Sequence, residues 1–221
     1  MTEKLSPAEI EARSFAIIGE ELAERGIVLD PLQDPVIRRA IHTTADLDYA
    51  ETLVFSPDAV RTAQELIRRG AVIVTDTNMA LTGINKSRLQ EYGCEARCYM
   101  ADEKVAEEAK ARGTTRAQVS MERAAEDLIE SGKPSIFVVG NAPTALITLR
   151  QMADAWLYRP DFIIGVPVGF VNVVEAKEQI LDSGIPHIVN RGRKGGSNVA
   201  AAIVNALLYS MEDEEKGPEE S

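Results

Sequence analysis

Apolar and polar positions follow two different rhythms in this chain, and the change between them divides it near Gly70. Before that point the apolar residues recur at helical spacing. Ser6-Pro7-Ala8-Glu9 supplies an N-cap, a proline for the first turn and a glutamate placed to complete a capping box. The stripe Ile10, Ser14, Ile17, Ile18 and Leu22 follows and Gly26 stops it, so a helix is expected over 6–25. Asp34-Pro35 opens a shorter helix over 34–42, with Val36, Ile37, Ala40 and Ile41 on one face and His42 at its end. Ser56-Pro57-Asp58 opens a third, through Val60, Ala63 and Ile67, which Gly70 ends.

Beyond Gly70, short β-branched runs alternate with amphipathic stretches. The runs are AVIVT (71–75), EARCYM (95–100), SIFVVG (135–140), FIIGV (162–166) and HIVN (187–190). Four are nearly all apolar, as strands buried on both faces of a parallel sheet must be. Helical segments are expected near 102–111, 115–130, 143–157, 173–182 and 198–210. This alternation predicts an α/β fold: three-layer, doubly wound, with a mostly parallel five-stranded sheet and N-terminal helical elements. No internal repeat is present. A single domain over 1–211 fits the length, and EDEEKGPEES (212–221) reads as an acidic, disordered tail.

Composition narrows the partners. Apolar residues make up 45 % of the chain, enough for a full core, and the net charge is −11. An acidic chain is poorly suited to nucleic acid or anionic lipid, both of which need a basic surface. There is no basic leader followed by an apolar stretch, and no apolar run reaches the length of a membrane span, so a soluble cytoplasmic protein is expected. Cys94 and Cys98 form CxxxC, but two histidines in the whole chain leave a zinc site short of ligands. A reduced pair and no bound metal are expected.

In doubly wound folds, ligands bind at loops leaving the carboxyl ends of strands. Here those loops are TDTNMALTGI (75–84), GNAPTAL (140–146), GVPVGFVN (165–172) and NRGRKGGSN (190–198). The last sets Arg191, Arg193 and Lys194 among glycines directly before a helix N-terminus, which makes an anion site. Neither GxxxxGK[ST] nor GxGxxG is present, so phosphate and carboxylate remain equally compatible.

Together these segments resemble the precorrin-8X methylmutase family, which includes the cobalt-precorrin-8 enzymes. The resemblance runs from about Ser14 to Tyr209. It is carried by RSFAII (13–18), His42, FSPD (55–58), TDTNMALTGI, TTR (114–116), GNAPTAL, GVPVGFVNVVEAKE (165–178) and RGRKGGS (191–197). It implies an isomerase that moves a methyl group from C-11 to C-12 of a corrin macrocycle by a [1,5]-sigmatropic shift, without a cofactor. It also implies a homodimer with its sites near the interface, and hand-over of intermediates to neighbouring pathway enzymes. The family's catalytic histidine falls on His42, a substrate-contacting serine on Ser14 and an arginine on Arg116. Two positions depart from the pattern: Ala176 stands where serine is expected, at the substrate rim, and Thr43 follows the histidine. VNVVEAKE is closer to the cobalt-using members.

The expected ligand is a flat apolar ring fringed with carboxylates. Met79, Leu81, Val168 and Phe170 can wall it, with Thr77, Asn141 and Gly169 as further contacts. Arg116, Arg191, Arg193 and Lys194 can pair with its rim. A sigmatropic shift needs no nucleophile, and one proton donor at the ring is most of what a side chain can add. His42 at a helix end, with Asp46 and Asp48 close behind to favour imidazolium, is that donor; otherwise it is a C-capping residue. His187 opens an apolar strand and is expected in the core. Two other classes stay open on the residues alone: a non-catalytic tetrapyrrole carrier, and a phosphate-ligand-binding α/β enzyme using 191–197.

Overall fold

The computed structural model describes residues 5–216. Ser6 caps the first helix, α1 (Pro7–Glu24), as its sequence requires: the Glu9 carboxylate accepts from the Ser6 N–H at 2.7 Å, and the Ser6 hydroxyl accepts from the Glu9 N–H. α2 (Asp34–Thr44) follows, ended by Ala45 in the left-handed region at φ 54°. Two short elements come next, α3 (Tyr49–Thr52) and β1 (Leu53–Phe55), before α4 (Ala59–Arg68).

The alternating part then runs β2 (Val72–Thr75), α5 (Asn78–Gly83), α6 (Lys86–Glu91), β3 (Glu95–Arg97), α7 (Glu103–Arg112) and α8 (Arg116–Ser131). It continues through β4 (Ser135–Val139), α9 (Pro143–Asp154), β5 (Phe162–Gly165), α10 (Val173–Leu181), β6 (His187–Asn190) and α11 (Ser197–Lys216).

The sheet has six strands in the order β1-β6-β5-β4-β2-β3, not the five expected. Five are parallel, and β1 adds antiparallel to β6 with Leu53 opposite Asn190. Three residues are too few to display a strand period, so β1 depends on its partner rather than on its own pattern. EARCYM yields strand only over 95–97, at the other edge, where one neighbour supplies hydrogen bonds instead of two. The expected loop 75–84 contains α5, because the Thr77 side chain accepts from the Ala80 N–H and caps a turn. At the far end, α11 runs to Lys216 and takes in the first residues of the expected acidic tail, while 217–221 lie outside the described residues.

Side chains alternate across the central strands and feed two cores. Ile73, Ile136, Val138, Ile164 and Ile188 face one core, closed by α1, α2, α4 and α11. Val72, Val74, Phe137, Val139, Ile163 and Val189 face the other, closed by α8, α9 and α10. Ala176 sits in this second core with no exposure, so its departure from serine concerns packing and not the substrate rim. The α1 stripe is only partly used: Ile18 and Leu22 are buried, while Ile10 and Ile17 remain exposed. His187 is buried and its Nδ1 lies 2.7 Å from the Ile185 carbonyl, with burial lowering its pKa. Both cysteines are free thiols, and Cys94 is buried with its Sγ 3.2 Å from the Ile67 carbonyl oxygen.

Candidate active site

From β2 the chain first builds β3 on one side, then crosses to β4 on the other, which makes the β2–β4 boundary the topological switch point. The fold fills that crevice from within. Asp76, directly after β2 and fully buried, accepts from the backbone N–H groups of Gly140, Asn141 and Ala142 at 2.9, 2.8 and 2.7 Å. Burial raises its pKa and the three N–H groups pull the other way. The donors before α9 that could have received a phosphate are therefore already used by a carboxylate of the protein. Gly140 also packs against α11: a Cβ there would stand 2.6 Å from the Ser197 Cα.

His42 lies on the exposed side of α2, between two cavities. One, of about 360 Å³, is shared with Arg39, Thr43, Met79, Asn198 and Tyr209. The other, of about 380 Å³, is shared with Ser14, Ile17, Glu21, Ala45 and Leu47. The imidazole stacks on Phe15 with ring centroids 5.2 Å apart, and among the described residues no protein group bonds either ring nitrogen. Both nitrogens are thus left to the cavities. Ser14 shares one of these cavities with His42, and Met79 shares the other. The Ser14 hydroxyl donates to the Ile10 carbonyl of its own helix at 2.8 Å, so its donor is used within the helix.

Arg39 is a residue that sequence reasoning passed over. Its guanidinium lies 4.8 Å from the Phe15 ring and 5.4 Å from the Tyr209 ring, and it pairs with Glu11. One turn before His42 on the same helix, it brings a cation to the cavity the two residues share. That i, i+3 spacing was visible in RRAIH, but nothing distinguished Arg39 from Arg38, which pairs with Asp34 instead.

The remaining predicted contacts line neither cavity. Loops 165–172 and 190–197 are clipped together, with the Gly169 N–H donating to the Arg193 carbonyl and the Gly196 N–H to Val166. Gly195 must be glycine, because its φ is 155° and a Cβ would meet the Val166 oxygen at 2.1 Å. Val168 and Phe170 are exposed there, and the Arg193 guanidinium lies 5.4 Å from the Phe170 ring. Thr77 bonds Ser197 hydroxyl to hydroxyl at 2.8 Å, joining the loop after β2 to the start of α11. Asn141 is exposed and Arg116 opens α8, whose Thr115 hydroxyl bonds Thr144 of α9 at 3.1 Å.

The three loop cations are not equivalent. Lys194 donates to Asp46 at 2.6 Å and to Asp48 at 2.5 Å, and this bond holds the Asp46 carboxyl below its ordinary pKa. Asp46 and Asp48, expected to act on His42, thus act on Lys194, tying the glycine loop to the segment after α2. Arg191 lies 3.8 Å from Glu178. Among the described residues Arg193 pairs with no carboxylate.

Lys177 was not foreseen either. It is fully buried on α10, with its Nζ donating to the carbonyls of Gly192 and Lys194, each at 2.8 Å. Burial lowers its pKa from 10.5 to about 8. A lysine whose folded pKa is depressed binds its proton more weakly than in the unfolded chain, so stability rises with pH between those values. Urea unfolding of the wild type and a Lys177→Met variant, followed from pH 7.5 to 10.5, is expected to show the wild type gaining on the variant across this window. Parallel curves would contradict it.

These features define an α/β protein with a six-stranded, mostly parallel sheet, an exposed histidine bordering two cavities and a cationic glycine loop after β6. The precorrin-8X methylmutase family model matches residues 9–210, and the chain belongs to that family. It is 44 % identical to the cobalt-precorrin-8 methylmutase of Salmonella typhimurium, over 94 % of this chain and 97 % of that one. With the precorrin-8X methylmutase of Pseudomonas aeruginosa it shares 38 % identity, over 92 % and 95 % respectively. The crystal structure of precorrin-8X methylmutase from Thermus thermophilus superposes with a TM-score of 0.81 at 37 % identity, covering 93 % of this chain and 98 % of that one.

Proposed function

We propose that this chain is an intramolecular methyl transferase of cobalamin biosynthesis, moving the C-11 methyl of a precorrin-8-type corrinoid to C-12. Membership of the methylmutase family over nearly the whole chain supports the reaction class. The observation that carries the assignment of roles is His42, unbonded between two cavities. In this reading its imidazolium donates a proton to the macrocycle, biasing it toward the tautomer from which migration is favourable and holding the product against reversal. Ser14 and Met79 contact the ring on either side of the imidazole. Thr77, Asn141, Val168, Gly169 and Phe170 extend the wall. The reaction is run without a cofactor, and any cobalt belongs to the substrate. Identities of 44, 40 and 41 % to enzymes named for cobalt-precorrin-8 support the cobalt-containing substrate. Conversion followed by the change in corrin absorbance tests the activity. A protein that binds the corrinoid and never converts it would be a carrier instead.

Arg116, Arg191, Arg193 and Lys194 meet the ring's carboxylates, and Arg193 has the clearest access. Arg193→Ala is expected to weaken corrinoid binding by about 1–3 kcal/mol at low salt, and the wild-type affinity to fall as salt rises. Unchanged affinity of the variant in titrations followed by absorbance would remove this loop as the anchor.

The same reading makes the enzyme a cytoplasmic homodimer, with the sheet and its two helical faces forming a three-layer domain and intermediates passed between pathway enzymes. No helix among the described residues is long and apolar enough to cross a membrane. A corrin with its side chains exceeds either cavity beside His42, and the exposed Ile17 of α1 lines one of them. Light scattering at micromolar concentration is expected to give twice the chain mass. A fully active monomer would overturn the dimer.

A further inference from the structure

Lys177 stands out because the fold buries a cation without giving it an anion. Its side chain has no exposure, its Nζ faces two backbone carbonyls, and among the described residues no carboxylate pairs with it. Removing an ammonium from water costs several kcal/mol, so the arrangement is poor as a source of stability. Lys and Met fill similar volumes, and the second core around α10 would accept the thioether more readily than the charge.

What the ammonium does accomplish is local. Its two acceptors, Gly192 and Lys194, flank Arg193 in the chain. The Lys194 carbonyl is held a second time, by the Asn190 side-chain amide at 3.0 Å, and that amide also donates to the Arg191 carbonyl at 3.2 Å. Asn190 is itself buried, and its side-chain Oδ1 accepts from the Thr52 hydroxyl at 2.7 Å. The carbonyls of Arg191, Gly192 and Lys194, in a loop with positive φ at Gly192, Gly195 and Gly196, are therefore satisfied by the Lys177 ammonium and the Asn190 amide, and that of Arg193 by the Gly169 N–H. With its carbonyls turned inward, the loop can present cationic side chains outward. While protonated, the buried ammonium also adds positive potential near Arg191, Arg193 and Lys194, in low dielectric where it is weakly screened.

We propose that Lys177 is a positioning residue for substrate binding: its buried ammonium shapes the 191–195 backbone and charges it from below, so that the loop captures corrinoid carboxylates. This rests on the reading of that loop as the carboxylate anchor. Lys177 touches no substrate and takes no part in the methyl shift, so it acts on affinity and leaves the chemical step alone.

The test uses the full-length enzyme, with cobyrinate and its fully esterified form as probes. Lys177→Met is expected to keep the melting temperature or raise it, to weaken cobyrinate binding at least about fivefold, and to flatten its salt dependence. KM should rise with kcat nearly unchanged, and the ester should bind both proteins alike. Lys177→Gln, which retains one donor without charge, should fall between. Equal affinity of wild type and Lys177→Met for cobyrinate overturns the proposal. So does a loss of affinity for acid and ester together, or failure of both variants to fold, because each makes Lys177 a folding residue. Arg193→Ala measured in parallel separates the two ideas. If it also binds normally, the anchor reading has failed; if it weakens while Lys177→Met does not, only the role of Lys177 has.

Discussion

His42→Ala is expected to lose roughly 10²–10⁴-fold in turnover while binding the corrinoid almost as well as the wild type, the usual contribution of a positioned proton donor. The ring is held by walls and cations elsewhere, and the imidazole contributes one stacked contact, to Phe15. Removing it should therefore act on kcat far more than on KM. His42→Asn keeps hydrogen-bonding capacity without a proton that titrates, and should be as slow. Single-turnover conversion followed by ring absorbance measures all of this. Near-normal rates in both variants would refute the acid role and leave His42 as a helix-end residue.

The second large effect concerns stability. Asp76→Ala removes the common acceptor of three N–H groups at the switch point. Each buried donor left without a partner costs about 1–3 kcal/mol, and with two of the three partly accessible the total should be about 3–5 kcal/mol. For a chain of this size that lowers the melting temperature by roughly 10 °C. Asp76→Asn, which keeps one acceptor oxygen and introduces a competing donor, should be intermediate. Circular dichroism melts decide the matter. A shift within about 2 °C would mean that water replaces the carboxylate at little cost. Because the same N–H groups open α9, a destabilised Asp76 variant should also loosen the 140–146 loop.

Much of the frame was legible in the chain. The two periods separated the N-terminal helices from the alternating part, and four apolar runs matched central strands β2, β4, β5 and β6. The capping box at Ser6 and the stops at Gly26 and Gly70 worked because they are local: each depends on a few neighbouring backbone groups. Edge elements were harder. β1 is three residues long, and its strand conformation comes from pairing with β6, which is far away in the chain. Segment 75–84 was expected as a strand-end loop, yet it contains α5, begun by one side-chain cap from Thr77.

The site divides along the same line. The chain by itself determined which chemistry was on hand: His42, the cations of 191–194, and the glycine and proline loops at strand ends all follow from residue type and local spacing. Their partners were decided only by the tertiary structure, since charge pairing is a matter of distance in space. Asp46 and Asp48 looked placed for His42 and instead hold Lys194, which arrives from 146 or more positions away. Asp76 gave no sign of capping 140–142, nor Lys177 of carrying the glycine loop, because a carboxylate or an ammonium in a sequence looks alike whether it meets water or a buried backbone group. Burial makes the difference: it strips the solvent that would otherwise satisfy the charge, and so turns an ordinary polar residue into one the fold must pair.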